Sequence, residues 1–236
     1  MMKYMGSKNR IAKDILPIIL KGRKPNQWYV EPFVGGCNII DKVDGNRVGS
    51  DFNEYVISLF KGIQEGFVPP DHVTEIEYKN TQKNRTINPL TAFIGFGCSY
   101  SGKWFGGYAR GNTNAGHPRN YCLESKKNIM RQKDAIYYVH FLHRHYKNLI
   151  IPNNSIIYCD PPYEGTTAYK DKFNHKDFWQ WCREKSNEGH KIFISEYNAP
   201  EDFECVWSKE INSSLTKETG SKKGVEKLFM INHPKP

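Results

Sequence analysis

Gln27-Trp28-Tyr29-Val30-Glu31-Pro32-Phe33-Val34-Gly35-Gly36, followed by Asn46-Arg47-Val48-Gly49-Ser50-Asp51-Phe52-Asn53, is the stretch that decides the fold. Gln27 to Val30 reads as a buried strand ended by Glu31-Pro32, with two glycines at the strand-to-helix turn. Asn46 to Ser50 reads as a second strand closed by Asp51, and Asn53 suits the N-cap of a helix over Glu54 to Gln64. Strand, glycine turn, helix, strand, acid and helix at such short intervals predict a parallel α/β sheet. Working outward, Ile11 to Leu20 has helical spacing of apolar residues. Ser155 to Cys159 is a buried strand, His175 to Ser186 a helix, Lys191 to Ser195 a strand, and Phe203 to Ile231 mostly β. Ser125 to Tyr146 reads as one long helix with many exposed cations. There is no internal repeat and no low-complexity tract.

With 236 residues, 38% hydrophobic and 14% aromatic, the chain can bury a sizeable core and is not a disordered segment. No apolar run approaches the ~20 residues of a membrane span. Residues 1–10 lack the apolar stretch of a secretory signal. The six cysteines are scattered without a CxxC unit, so they read as small buried hydrophobes in a reducing compartment. A cytoplasmic location is expected.

The net charge of +9 is concentrated in one segment. Lys79 to Lys147 holds twelve Lys and Arg against two acids, a net of +10, and everything else nets −1. Between Glu77 and Glu124 there is no carboxylate at all. A basic segment of this kind is the footprint of a polyanion partner. It also contains Phe96 to Asn112, whose glycine density argues against a helix. Cations of the basic segment, among them Lys103, Arg110 and Arg119, alternate with Tyr, Trp and Phe, a mixture that can neutralise phosphates and stack on or wedge against bases. A small aromatic core is the bland alternative.

The strongest local motif is Asp160-Pro161-Pro162-Tyr163, directly after a buried strand. Two prolines remove two backbone donors and hold the chain extended. The Asp160 carboxylate and the Pro161 carbonyl are then fixed acceptors at the carboxyl end of a strand, where open α/β sheets bind ligands. An exocyclic amino group is a poor nucleophile, because its lone pair is delocalised into the ring. Two acceptors gripping its two hydrogens would raise electron density on nitrogen, and Tyr163 offers a face on which a flipped base can stack. A rigid Asp-Pro turn is the structural alternative. Neither GxGxxG nor GxxxxGK[ST] is present. Gly35-Gly36 still let a ligand lie against the backbone, and an acid such as Asp51 commonly accepts from ribose hydroxyls of an adenosine-containing cofactor.

Taken together, these residues resemble the Dam-like N6-adenine DNA methyltransferases over most of the chain. Tyr4-Met5-Gly6-Ser7-Lys8 looks like that family's N-terminal cofactor motif, in which the aromatic residue and the lysine touch S-adenosyl-L-methionine. Glu31-Pro32-Phe33-Val34-Gly35-Gly36 resembles its glycine-rich motif, Ser50-Asp51-Phe52-Asn53 its ribose-holding acid motif, and Asp160 to Tyr163 matches its DPPY motif unchanged. Thr166 to Tyr169 and Phe193 to Tyr197 sit where weaker motifs lie. Arg110-Gly111-Asn112 fits the Arg-x-Asn of its recognition hairpin. Lys103 to Tyr108 looks expanded, and His117 to Tyr121 replaces the usual downstream run, so the resemblance carries no target sequence.

The resemblance implies a Rossmann-like methyltransferase sheet with helices on both faces and an inserted, mostly helical and loop target-recognition domain. Residues 1–65 and 149–236 are expected to form the cofactor-binding catalytic domain, and 66–148 the insert. The expected catalytic residues are Asp160, Pro161, Pro162 and Tyr163. Those expected around S-adenosyl-L-methionine are Tyr4, Gly6, Ser7, Lys8, Glu31, Pro32, Phe33, Gly35, Gly36, Asp51, Phe52 and Asp160. Lys103, Arg110, Asn112 and Arg119 are expected on double-stranded DNA. The expected reaction is methyl transfer to N6 of a flipped adenine. Cytosine N4, RNA adenine and a silent DNA-binding relative are the alternatives. No obligate protein partner is implied, though pairing with a restriction endonuclease would fit. His140, His143 and His145 lie on the predicted helix, His140 and His143 at i, i+3 spacing, and lack a partner ligand of suitable spacing, so no metal is expected.

Overall fold

The computed structural model describes residues 1–164, 173–212 and 223–232. Its centre is a seven-stranded mixed sheet formed by β1 (Tyr29–Glu31), β2 (Arg47–Asp51), β3 (Val139–His143), β4 (Ile156–Cys159), β5 (Lys191–Glu196), β6 (Phe203–Asn212) and β7 (Lys223–Ile231). The order across the sheet is β3-β2-β1-β4-β5-β7-β6. The first five strands are parallel, and β7 inserts antiparallel between β5 and β6. Helices are α1 (Ala12–Ile19), α2 (Glu54–Gln64), α3 (Glu75–Lys83), α4 (Pro89–Gly97), α5 (Tyr121–Met130), α6 (Lys133–Ile136) and α7 (His175–Asn187). The α/β class expected from the sequence is the one observed. Among the described residues, no helix is long and apolar enough to cross a membrane.

The central strands are apolar on both faces because both faces are covered. Tyr29, Ile156, Tyr158 and Phe193 belong to one core, with Ile15, Phe60 and Phe93 from α1, α2 and α4. Their neighbours Val30, Ile157, Cys159, Ile192 and Ile194 point the other way, against Phe178, Trp179 and Trp181 of α7. Local chemistry sets the helix starts: Asn53 caps α2 through Tyr55 N–H, and Thr74 and Glu77 form a reciprocal capping box on α3.

One expected element is replaced. The span 125–146 is not a single helix but the end of α5, the short α6 and the strand β3. Val139 and Phe141 point into the core while His140 and Leu142 are exposed, a period of two rather than 3.6, and His143 ends the strand exposed. Phe141 stacks on Phe60 of α2 with ring centroids 5.3 Å apart. β3 therefore adds an edge strand to β2 from within the span expected to be the insert, and the three histidines lie on and just after this strand rather than on a helix. Among the described residues no group of three or more His, Cys, Asp or Glu is placed to hold a metal ion.

The glycine- and aromatic-rich segment also differs in part. α4 runs through Gly95 to Gly97, so Phe96 and Gly97 are helical after all. A Cβ on Gly95 would lie 2.3 Å from the Trp104 ring, so the glycine is there to admit the indole. Trp104 packs on Tyr55 and Phe96 at 4.4 and 4.6 Å, and Phe105 is buried. Phe105 therefore belongs to the core and Trp104 packs against it. Tyr100, by contrast, is 61% exposed.

Candidate active site

The sheet reverses direction of growth at β1, which has β2 on one side and β4 on the other. In open sheets of this kind the carboxyl ends of the strands at such a reversal are the general ligand site. Three of these ends bring acids to the rim, where Asp51 ends β2, Asp160 follows β4 and Glu196 ends β5, while Glu31 at the end of β1 turns into the core. The antiparallel register sets Lys227 of β7 opposite Glu196, so Glu226 falls just beyond the end of β5 and joins the group.

Lys8 enters this acidic rim from the segment before α1. Its ammonium lies 3.0 Å from Asp160 Oδ1 and 3.8 Å from Glu226 Oε2, and donates to the Gly6 carbonyl at 3.1 Å. Burial alone would lower the Lys8 pKa; the two carboxylates outweigh it and hold the pKa above its ordinary value. Burial raises Asp160 to about 6 even with Lys8 pulling the other way. Asp160 Oδ1 has no well-aligned hydrogen bond, which leaves acceptor capacity beside the ammonium. Tyr163 lies under Lys8, with the ammonium 4.4 Å from its ring centroid, and its phenol donates to Glu226 Oε2 at 2.8 Å. Pro161 is buried and Pro162 half-buried.

The neighbouring wall is built on the glycine turn. Gly35 has φ of 45°, and its N–H donates to Asp51 Oδ2 at 2.9 Å, while Asp51 Oδ1 accepts from Asn53 N–H at 2.9 Å. Tyr4 covers the turn so closely that a Cβ would sit 2.9 Å from its ring at Gly35 and 2.7 Å from its Cβ at Gly36. Phe52, next to Asp51, is 64% exposed and borders His143 and His145. Gly6 is exposed, and Ser7 caps the short turn after it through Asn9 N–H at 3.3 Å.

Some expected site residues stand elsewhere. Glu31 and Pro32 are buried, and Glu31 accepts the Tyr29 phenol at 2.9 Å inside the core, where burial pushes its pKa well above the carboxylate range. Phe33 packs on Tyr146 and Phe178 on the α7 side of the sheet. Thr166 to Tyr169 lie outside the described residues.

Of the residues expected on DNA, Arg110, Asn112 and Arg119 share an exposed hairpin. Thr113 N–H donates to the His117 carbonyl at 2.8 Å, and Arg119 N–H to the Gly111 carbonyl at 2.9 Å. Lys103 is exposed on the preceding loop. Arg110 is paired with Glu75 of α3, and Arg119 with Glu124 of α5 at 2.5 and 2.8 Å. These carboxylate partners were not anticipated.

Two further residues escaped the sequence reading. Gln132 accepts the Met2 N–H at 2.6 Å and donates to the carbonyls of Gly36 and Cys37, fastening the N-terminal segment to the glycine turn. Nothing local marks it. Glu226 did carry a signal, since a period of two places it on the same strand face as the fully buried Leu228.

The chain is similar to several known methyltransferases. Type II methyltransferase M.FokI of Planomicrobium okeanokoites is 22% identical over 215 aligned residues, covering 77% of this chain. The match takes in 31% of that relative, so the chain spans about a third of its length. Among solved structures, SMU.472 complexed with SAH is similar at 11% identity and a TM-score of 0.40, covering 98% of this chain and 54% of that one. tRNA (m1A58) methyltransferase TrmI from Aquifex aeolicus is similar at 12% identity and a TM-score of 0.36, with 93% and 68% covered. Residues 4–155, which include the Tyr4 to Lys8 segment, the glycine turn and the basic hairpin, match the D12 class N6 adenine-specific DNA methyltransferases, and the chain belongs to that family.

Proposed function

We propose that this protein transfers a methyl group from S-adenosyl-L-methionine to the N6 amino group of an adenine flipped out of duplex DNA. The observation that carries the reading is the Lys8–Asp160 pair at the end of β4, set beside the Asp51–Gly35 turn.

The residues present fit the cofactor. It is a sulfonium that also bears an ammonium, and an acidic rim suits a cation. The glycine turn leaves no room for a side chain, the Asp51 carboxylate stands at the end of β2, and the exposed Phe52 ring is available to an adenine. When bound, S-adenosyl-L-methionine supplies an electrophilic methyl group. The chain's own work is then to bind, orient and hold protons. Asp160 and the Pro161 carbonyl accept the two amino hydrogens of the base, and Lys8 keeps Asp160 ionised against its burial. Tyr163 supplies the stacking ring. Positioning of this kind accounts for large rate gains without a covalent intermediate.

Lys103, Arg110, Asn112 and Arg119 meet the DNA. Residues 66–148 serve mainly as the target-recognition part, with β3 belonging to the sheet. Flipping a base costs a few kcal/mol, which phosphate contacts from the insert offset. The similarity to a Type II methyltransferase supports a role in modification alongside a restriction endonuclease.

The test is transfer of labelled methyl from S-adenosyl-L-methionine to unmethylated plasmid, with D160A in parallel, followed by nucleoside analysis. Label in N6-methyladenine that vanishes in D160A is expected. Label in N4-methylcytosine or in RNA only would replace the substrate, and absence of label on any nucleic acid would reject transfer.

A further inference from the structure

We infer that Glu226 of β7 is a positioning residue of the active site, anchoring the Tyr163 ring where the target base stacks. The inference rests on the methyl-transfer reading above.

Glu226 is only 8% exposed, and a buried carboxylate is costly unless it is paired and hydrogen-bonded. Its partners all belong to the site. Oε2 accepts the Tyr163 phenol at 2.8 Å and lies 3.8 Å from the Lys8 ammonium. Burial pushes the Tyr163 phenol well above its ordinary pKa, so it stays protonated and able to donate. The ring is then fixed at three points: by Glu226 through its oxygen, by Lys8 at 4.4 Å from its centroid, and by Tyr197 packed at 82° and 4.6 Å.

Without the oxygen anchor the ring could turn about its side-chain torsions, and the entropy of fixing it would fall on the step that docks the base. β7 supplies this anchor because it runs antiparallel to β5. Its early residues, not its last ones, therefore stand at the end of the sheet where Asp160 emerges. An aligned strand β7 would have delivered its C-terminal end instead.

The experiment compares full-length wild type with E226A, E226Q, Y163F and the double variant E226A/Y163F. DNA methylation kinetics are read alongside 19F NMR of 3-fluorotyrosine-labelled protein, with the Tyr163 signal assigned from Y163F. We expect E226A to lose 10- to 100-fold in kcat with KM for DNA within about threefold. Y163F should lose a similar factor, and the double variant no more than the worse single one. E226Q, whose amide oxygen still accepts the phenol hydrogen, should recover most of the loss. The Tyr163 signal should shift towards its exposed position in E226A and stay in place in E226Q.

A folded E226A with kcat within twofold of wild type, or losses that multiply in the double variant, would overturn the inference. If E226A does not fold, Y163F decides, since it removes only the phenol; unchanged kcat there would also overturn it. Failure of wild type to methylate DNA would count against the transfer reading alone, because the fluorine signal reports the anchor without turnover.

Discussion

The Lys8 ammonium lies 3.0 Å from Asp160 Oδ1, joining the segment before the first helix to the turn after the fourth strand. It is a shielded pair, with side chains 8% and 22% exposed. Breaking such a pair costs far more than breaking one at the surface, because a desolvated charge is left behind.

This pair predicts a pH dependence. In the proposed reaction an ionised Asp160 is the stronger acceptor for the amino hydrogens, and burial raises its pKa to about 6. The methylation rate should therefore rise through about pH 6, and K8M should move that limb upward, since the remaining forces on Asp160 favour the neutral acid. A limb that stays in place in K8M would separate Lys8 from Asp160.

Stability should move in the opposite direction. A carboxyl whose folded pKa is raised from 3.8 to about 6 favours the fold when protonated, and that contribution is lost as pH rises between those values. Denaturant titrations of wild type relative to D160N should show wild type losing about 3 kcal/mol between pH 3.5 and pH 7, at 1.36 kcal/mol per pKa unit. A constant difference across that range would contradict the raised pKa.

At the glycine turn, steric contact and backbone conformation can be separated. A Cβ at Gly36 would stand 2.7 Å from both Tyr4 Cβ and Asn38 Nδ2, whereas Gly22, with φ of 73°, has nothing within 4 Å. G36A should lose about 1–3 kcal/mol from overpacking and also weaken S-adenosyl-L-methionine binding in calorimetry. G22A should lose about 1 kcal/mol from backbone strain and leave cofactor affinity alone. Equal effects on cofactor binding would remove Tyr4 and Gly36 from the pocket.

Asp51 is tested by what it leaves behind. D51A orphans the Gly35 and Asn53 N–H groups, which should cost about 1–3 kcal/mol and lower cofactor affinity with DNA binding intact. Cofactor affinity equal to wild type would take Asp51 out of the site.

The hairpin arginines should behave differently from all of these. Arg110 and Arg119 are exposed and paired with Glu75 and Glu124, and such solvent-screened surface pairs contribute little to stability. R110A and R119A should hardly change stability, yet each should lower the slope of log affinity against log salt by about 1. R110A should also reduce sequence discrimination more than cofactor affinity. Unchanged DNA binding in both variants would move the interface elsewhere.

The sequence by itself determined the parts written in consecutive residues. Strand, turn and acid follow one another at Tyr29 to Gly36, at Arg47 to Asn53 and at Ile156 to Tyr163, because hydrophobic runs, prolines and glycines act on their own neighbours. Only the tertiary structure decided the rest. Val139 to His143 became a strand because β2 offered an open edge, overriding a weak helical pattern. Trp104 and Phe105 went inward because Gly95 and Tyr55 made space and contact for them. Glu226 and Gln132 reached the site from positions far along the chain, through the antiparallel turn of β7 and the docking of the segment after α5. Contacts between residues so far apart depend on how strands pair and helices pack, and no local pattern of side chains encodes that geometry.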